Sequence, residues 1–183
     1  MVWDQAIRFF AEGENTMKHI LVIGCPGAGK STFARALRDR TGLPLWYLDR
    51  IWHRPDRTTV SPQEFDARLE ELLAQAVWII DGNYLRTLEV RLQAADAVFL
   101  LDYPAEVCLE GAGSRIGTRR EDLPWVEEEF DPEFRQWIED FGRDQLPEIY
   151  RLLEQYRDGW EVYVFHSRQE AADWLRGFDA KAD

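Results

Sequence analysis

Cysteine is nearly absent from this chain: Cys25 and Cys108 are the two thiols in 183 residues, beside three histidines. Two thiols so placed make neither a disulfide framework nor a metal pattern, so both are expected as small buried or loop residues. Basic residues are short against acidic ones, 22 to 34, and the resulting net charge of −12 repels a polyanion. Nucleic acid is therefore disfavoured as a main partner. Long apolar runs are missing too. The longest are strand-sized, well below the ~18 residues a membrane span needs, and no charged start, apolar centre and small-residue cleavage site opens the chain. The expectation is a cytoplasmic protein without a membrane partner, a monomer or weak dimer. No internal repeat or low-complexity segment occurs. What the chain has in quantity is apolar bulk: 45% hydrophobic residues, with eight Trp and ten Phe, supply one core, and the length fits one domain.

The most informative stretch runs from Lys18 to Thr32 and reads KHILVIGCPGAGKST. Ile20 to Ile23 is a short apolar run suited to a strand buried on both faces, and Ser31 to Leu37 continues with helical spacing. Between them Gly24, Gly29, Lys30 and Ser31 fill the pattern Gly-x-x-x-x-Gly-Lys-[Ser/Thr], a phosphate cradle for a nucleoside triphosphate. Gly24, Gly27 and Gly29 allow left-handed backbone and close ligand approach, so that the N–H groups around Ala28 point into one concavity. The helix beginning near Lys30 adds its dipole and its unpaired first-turn N–H groups. Lys30 is placed to reach the terminal phosphates, Ser31 to offer its hydroxyl to Mg²⁺, and Thr32 to act as a second hydroxyl.

Residues 1–16 read as an extension outside the repeating pattern, residues 17–178 as the domain, and residues 179–183 as a polar tail. The first helix should stop near Gly42, and a second strand, Leu45 to Leu48, should end at Asp49. Ligands of open parallel sheets bind outside the carboxyl ends of strands, so Asp49, with Arg50, Trp52 and His53, faces a second substrate; a capped turn is the alternative. Ser61-Pro62-Gln63-Glu64 is a capping box opening a helix with Phe65, Leu69 and Leu72 on its apolar face. A third strand, Val77 to Ile80, ends in Asp81-Gly82-Asn83-Tyr84, where Asp81 is a candidate for holding Mg²⁺. After a short helix bearing Arg86 and Arg91, a fourth strand over 97–101 ends at Asp102, a second possible metal partner. Small residues and arginines alternate from Gly111 to Arg120. This reads as a lid, about residues 111–130, whose Arg115, Arg119 and Arg120 grip phosphate oxygens. Asp131-Pro132 opens a helix with Phe134, Trp137, Ile138 and Phe141 inward; another follows over 144–156. Trp160 to Phe165 alternates as a fifth strand, and Ser167 caps a last helix. Strands alternating with helices imply an α/β fold, a parallel sheet of about five strands with helices on both faces.

The loop sequence, Asp49, WIIDGNY at 78–84, Arg91 with Ala95-Asp96, LDYP at 101–104 and Cys108-Leu109 together resemble the adenylate-kinase-like proteins known as DNA topology modulation proteins. The resemblance spans roughly residues 17–174. It implies a P-loop NTPase fold of the nucleoside monophosphate kinase-like type, ATP and Mg²⁺ as cofactors, and phosphoryl transfer to a small acceptor such as a nucleotide, a nucleoside or a hydroxy compound. Lys30, Arg115, Arg119 and Arg120 would then neutralise charge on the transferred group. Ser31 and Asp81 would hold the metal, and Asp49, Gly82, Asn83, Arg86 and Arg91 would line the acceptor pocket, with Asp49 able to take a hydroxyl proton. Adenylate kinases carry two arginines four residues apart on the helix entering the lid; here the first is Gly111 and the second Arg115. The competing class is a nucleotide-gated, DNA-topology-related binding protein with weak ATPase activity.

Overall fold

The computed structural model describes residues 17–156 and 161–179. The expected extension at 1–16, Trp160 and residues 180–183 lie outside that range. The five strands are β1 (His19–Gly24), β2 (Leu45–Tyr47), β3 (Trp78–Asp81), β4 (Ala97–Leu101) and β5 (Glu161–Phe165). They form one parallel sheet in the order β2-β3-β1-β4-β5. Around it pack α1 (Lys30–Thr41), α2 (Leu48–Trp52), α3 (Pro62–Leu73), α4 (Leu88–Ala94), α5 (Ala105–Gly113), α6 (Pro132–Asp144), α7 (Leu146–Gln155) and α8 (Arg168–Asp179). β3 and β4 are buried along their whole length, as strands covered on both faces must be. None of the described helices is long and apolar enough to cross a membrane.

Local chemistry sets most boundaries where the residues place them. Gly42 takes a left-handed conformation past the end of α1 and returns its N–H to the Arg38 carbonyl at 2.8 Å. Ser61 Oγ accepts from the Glu64 N–H at the start of α3, and Asp131 Oδ1 from the Phe134 N–H at the start of α6. Ser167 is a cap as expected: its Oγ accepts from the Glu170 N–H at 3.2 Å, and the Glu170 carboxylate accepts from the His166 N–H at 2.8 Å. The core between α1, α8 and the sheet is aromatic, with Phe33, Phe99, Phe165 and Trp174 in mutual ring contact.

Two expectations are corrected. The second strand stops at Tyr47, because the chain rolls into α2 and drops Leu48 onto Gly82, where a Cβ on that glycine would meet the leucine's Cβ at 2.8 Å. Asp49 therefore sits in the first turn of a short helix and not at a strand end. Trp137, assigned to the apolar face of α6, is 39% exposed; Ile138 and Phe141 are the buried members.

Register positions the site. β1 and β3 align Val22 with Asp81, and β1 and β4 align Gly24 with Leu101. The acid at the end of β3 thus lies one strand over from the turn that follows β1.

Candidate active site

The turn after β1 is curled. Gly24, Gly27 and Gly29 have φ of 136°, 83° and 98°, and the Ala28 N–H donates to the Cys25 carbonyl at 3.2 Å. The same carbonyl accepts from Lys30 Nζ at 3.0 Å, so the ammonium folds back over the turn. α1 starts after Gly29 without a side-chain cap, which leaves its first N–H groups for an anion. Residues Gly27 to Thr32 line one end of a cavity of ≈ 710 Å³.

The three glycines serve different ends. A Cβ on Gly24 would fall 2.4 Å from the Leu101 carbonyl oxygen, and one on Gly27 would fall 1.9 Å from that of Cys108. Those two let the turn pack against β4 and α5. A Cβ on Gly29 would meet nothing within 4 Å, so its open side is free to face the cavity that it lines. Ligand approach therefore accounts for Gly29, whereas Gly24 and Gly27 answer to packing beneath the turn.

Asp81 is the central acid. It is 4% exposed, and its Oδ1 has no hydrogen-bond partner among the described residues. Burial pushes its pKa up to about 6, against the opposing pull of Lys30 and Ser31, with Asp49 and Asp122 adding to the rise. A buried carboxylate oxygen without a donor, next to a hydroxyl and a lysine, matches an Mg²⁺ site that keeps most of its ligands as water and phosphate. No group of three or more His, Cys, Asp or Glu able to hold a metal occurs among the described residues. Asp102, the other candidate, lies elsewhere: its Oδ2 accepts from the Tyr150 hydroxyl at 2.6 Å, 3.6 Å from His166 Nδ1, on the wall of a separate cavity of ≈ 380 Å³.

The lid arginines reach the loop cavity. Arg115, Arg119 and Arg120 line it together with Lys30. Arg115 is largely buried, its Nε has no partner, and burial followed by repulsion from Arg120 lowers its pKa. Arg120 pairs with Asp122 at 3.5 Å and Glu127 at 3.4 Å and keeps an unpartnered, buried Nη1. The lid's glycines are not uniformly hinges. Gly111 lies inside α5 against the phosphate loop, where its Cβ would be 2.1 Å from the Gly27 carbonyl oxygen, and only Gly117 combines positive φ with open space. The lid is also latched, since Glu121 Oε2 accepts from Arg38 at 3.2 Å and from the Tyr47 hydroxyl at 3.0 Å.

The acceptor assignments divide. Asp49 stands within electrostatic reach of Asp81 and Arg115, and its Oδ1 accepts from the Tyr84 hydroxyl at 2.8 Å. Asn83 is buried with an orphan Oδ1 beside Gly82, whose φ is 144°. Arg86 and Arg91 lie apart from the loop cavity. Arg86 forms a double bridge to Asp66, 3.0 and 2.6 Å, in the groove between α3 and α4 away from the loop. Arg91 is 0% exposed and donates to the carbonyls of Gly82, Asn83, Tyr84 and Thr87, burial lowering its pKa to about 9. It holds the Asp-Gly-Asn-Tyr turn through those carbonyls. Sequence reasoning missed Tyr84 as the residue that orients Asp49, Asp122 as the partner of Arg120, and Arg168 on the cavity wall. Tyr84 lay within a quoted motif; the others gave no local signal.

No protein-family model matches the chain, and no curated protein is similar enough to count as a relative. Solved structures do match. Shikimate kinase from Acinetobacter baumannii, in complex with shikimate, aligns with TM-score 0.59 at 20% identity over 91% of this chain and 93% of its own. A gluconokinase from Sinorhizobium meliloti 1021 aligns at 0.54 and 18%, covering 89% and 90%. Shikimate kinase from Bacteroides thetaiotaomicron gives 0.54 and 16%, covering 91% and 98%. The chain has the P-loop NTPase fold of the nucleoside monophosphate kinase-like type.

Proposed function

We propose that this chain is an ATP- and Mg²⁺-dependent kinase that phosphorylates a small hydroxylated acceptor. The observation that carries the reading is the convergence, on one cavity, of a curled glycine loop, Lys30 and three lid arginines beside a buried carboxylate with an unpartnered oxygen. The loop amides from Gly27 to Thr32 bind the phosphates, and Lys30 exchanges its bond to the Cys25 carbonyl for a phosphate oxygen. Ser31 and Asp81 hold Mg²⁺, which when bound neutralises phosphate charge. Asp49, steadied by Tyr84, accepts the proton of the acceptor hydroxyl as that oxygen bonds to the γ-phosphorus and the bond to the departing diphosphate breaks. Arg115, Arg119 and Arg120 balance the charge that develops. The acceptor carries an anionic group: Arg50, Arg119 and Arg120 share a small cavity of ≈ 220 Å³ with Trp125, and the first two have no acidic partner among the described residues. In one of the similar structures the molecule bound is shikimate, a hydroxylated acid.

Incubation with Mg²⁺·ATP and a panel of hydroxy acids, sugars, nucleosides and nucleotides should give acceptor-dependent ADP release, reduced at least about a hundredfold by Lys30→Ala. Steady ADP release without any acceptor would make the protein a hydrolase. Salt-dependent DNA affinity strengthened by ATP would favour the DNA-topology class instead.

A further inference from the structure

The ≈ 710 Å³ cavity extends beyond the phosphate loop to a wall made by Arg168, Ala171, Ala172 and Leu175 of α8 with Gly111 of α5. Lys30, Ser31 and the lid arginines line the rest of it, where the function proposed above puts the last phosphate. A triphosphate on the loop amides therefore directs its sugar and base away from them, to the α8 wall. That wall is aliphatic except for one guanidinium. Arg168 Nη2 donates to the Val107 carbonyl at 3.1 Å, and Nη1 lies 3.7 Å from the Glu110 carboxylate, so the group is anchored on α5 from across the cavity mouth. Its Nη2 stands 2.9 Å from where a Cβ on Gly111 would be, and position 111 has no room for a side chain, because the Gly27 carbonyl oxygen is 2.1 Å from the same point. The space beside the loop is thus taken by a cation reaching in from another helix, half exposed at 51%.

We propose that Arg168 is the base platform of the nucleotide site, its guanidinium plane stacking on the aromatic base of the bound nucleoside triphosphate beside the aliphatic face of α8. A guanidinium attracts the face of an aromatic ring while its edge N–H groups stay engaged elsewhere, here with Val107 and Glu110. The exposed pair with Glu110 contributes little to the fold. This assignment rests on the nucleotide part of the function proposed above, and its test separates the two.

Binding is measured by calorimetry with Mg²⁺ and either a non-hydrolysable ATP analogue or inorganic tripolyphosphate, which has no base. Wild type should bind both. Arg168→Ala should weaken the analogue about three- to thirtyfold, the range of a cation–π contact, and tripolyphosphate by far less. Arg168→Lys keeps the charge and loses the plane, so it should leave tripolyphosphate unchanged while still weakening the analogue. In turnover the loss should fall on the KM for ATP with kcat retained. Equal losses for both ligands in Arg168→Lys, or no loss for the analogue in either variant, overturn the platform while leaving the kinase reading in place. Wild type binding neither ligand overturns both.

Discussion

Asp81 shows how a single side chain can lower stability in the service of a ligand. A carboxyl whose folded pKa is raised to about 6 from 3.8 binds its proton more tightly in the native state than in the unfolded chain. Stability then falls as pH rises through that window, by about 3 kcal/mol for a shift of this size. Asp81→Asn removes the titration and keeps an oxygen for the Ser31 hydroxyl. In metal-free buffer the variant should gain on wild type by about 2–3 kcal/mol between pH 4 and pH 8 in denaturant unfolding, while losing kinase activity at every pH. A gap that stays constant across that range would mean that Asp81 is not desolvated as described. Arg91 illustrates the opposite case: a charged residue read as a ligand contact that is buried whole, its carbonyl acceptors coming from the turn it supports.

At the scale of elements, the phosphate loop and α5 form one unit held by glycine. Gly27 and Gly111 face each other so closely that a Cβ on either would overlap backbone of the other element, at 1.9 Å and 2.1 Å. In α6, by contrast, Gly142 has nothing within 4 Å of its Cβ position. The same substitution should therefore have opposite signs. Gly142→Ala gains helix propensity and should stabilise by about 0.5–1 kcal/mol. Gly111→Ala gains it too but must push the loop aside, so it should destabilise by about 1–3 kcal/mol and weaken tripolyphosphate binding. Thermal unfolding of the pair checks this, and a stable Gly111→Ala with unaltered binding would refute the close contact. The lid, as an element, is held by Glu121 bridging Arg38 and Tyr47 while its arginines line the cavity.

For the molecule as a whole, binding and folding are linked. Mg²⁺·ATP at about a hundredfold excess over its Kd should raise stability by about 2.7 kcal/mol, a Tm increase of about 5–10 °C for a chain of this size. The increase should shrink at pH 5, where protonated Asp81 no longer accepts a cation, and disappear in Lys30→Ala. No shift for wild type at pH 8 would count against nucleotide binding altogether. Much of this architecture is legible from residue order. The strand, glycine turn and helix from Lys18 to Leu37, the caps at Ser61, Asp131 and Ser167, and the alternation of strands and helices are local signals that short stretches of chain carry by themselves. Tertiary structure alone decided which chemistry each functional side chain meets. Arg86 and Arg91 carry the same guanidinium as Arg115 and Arg120, yet one is spent on Asp66, one on backbone carbonyls, and two on the cavity. Asp81 and Asp102 end the apolar runs on either side of β1 alike, yet only the one on β3 comes to Ser31. Spacing along a chain sets periodicity and turns, whereas burial, partner and charge depend on which elements pack side by side, and the sheet order settled that.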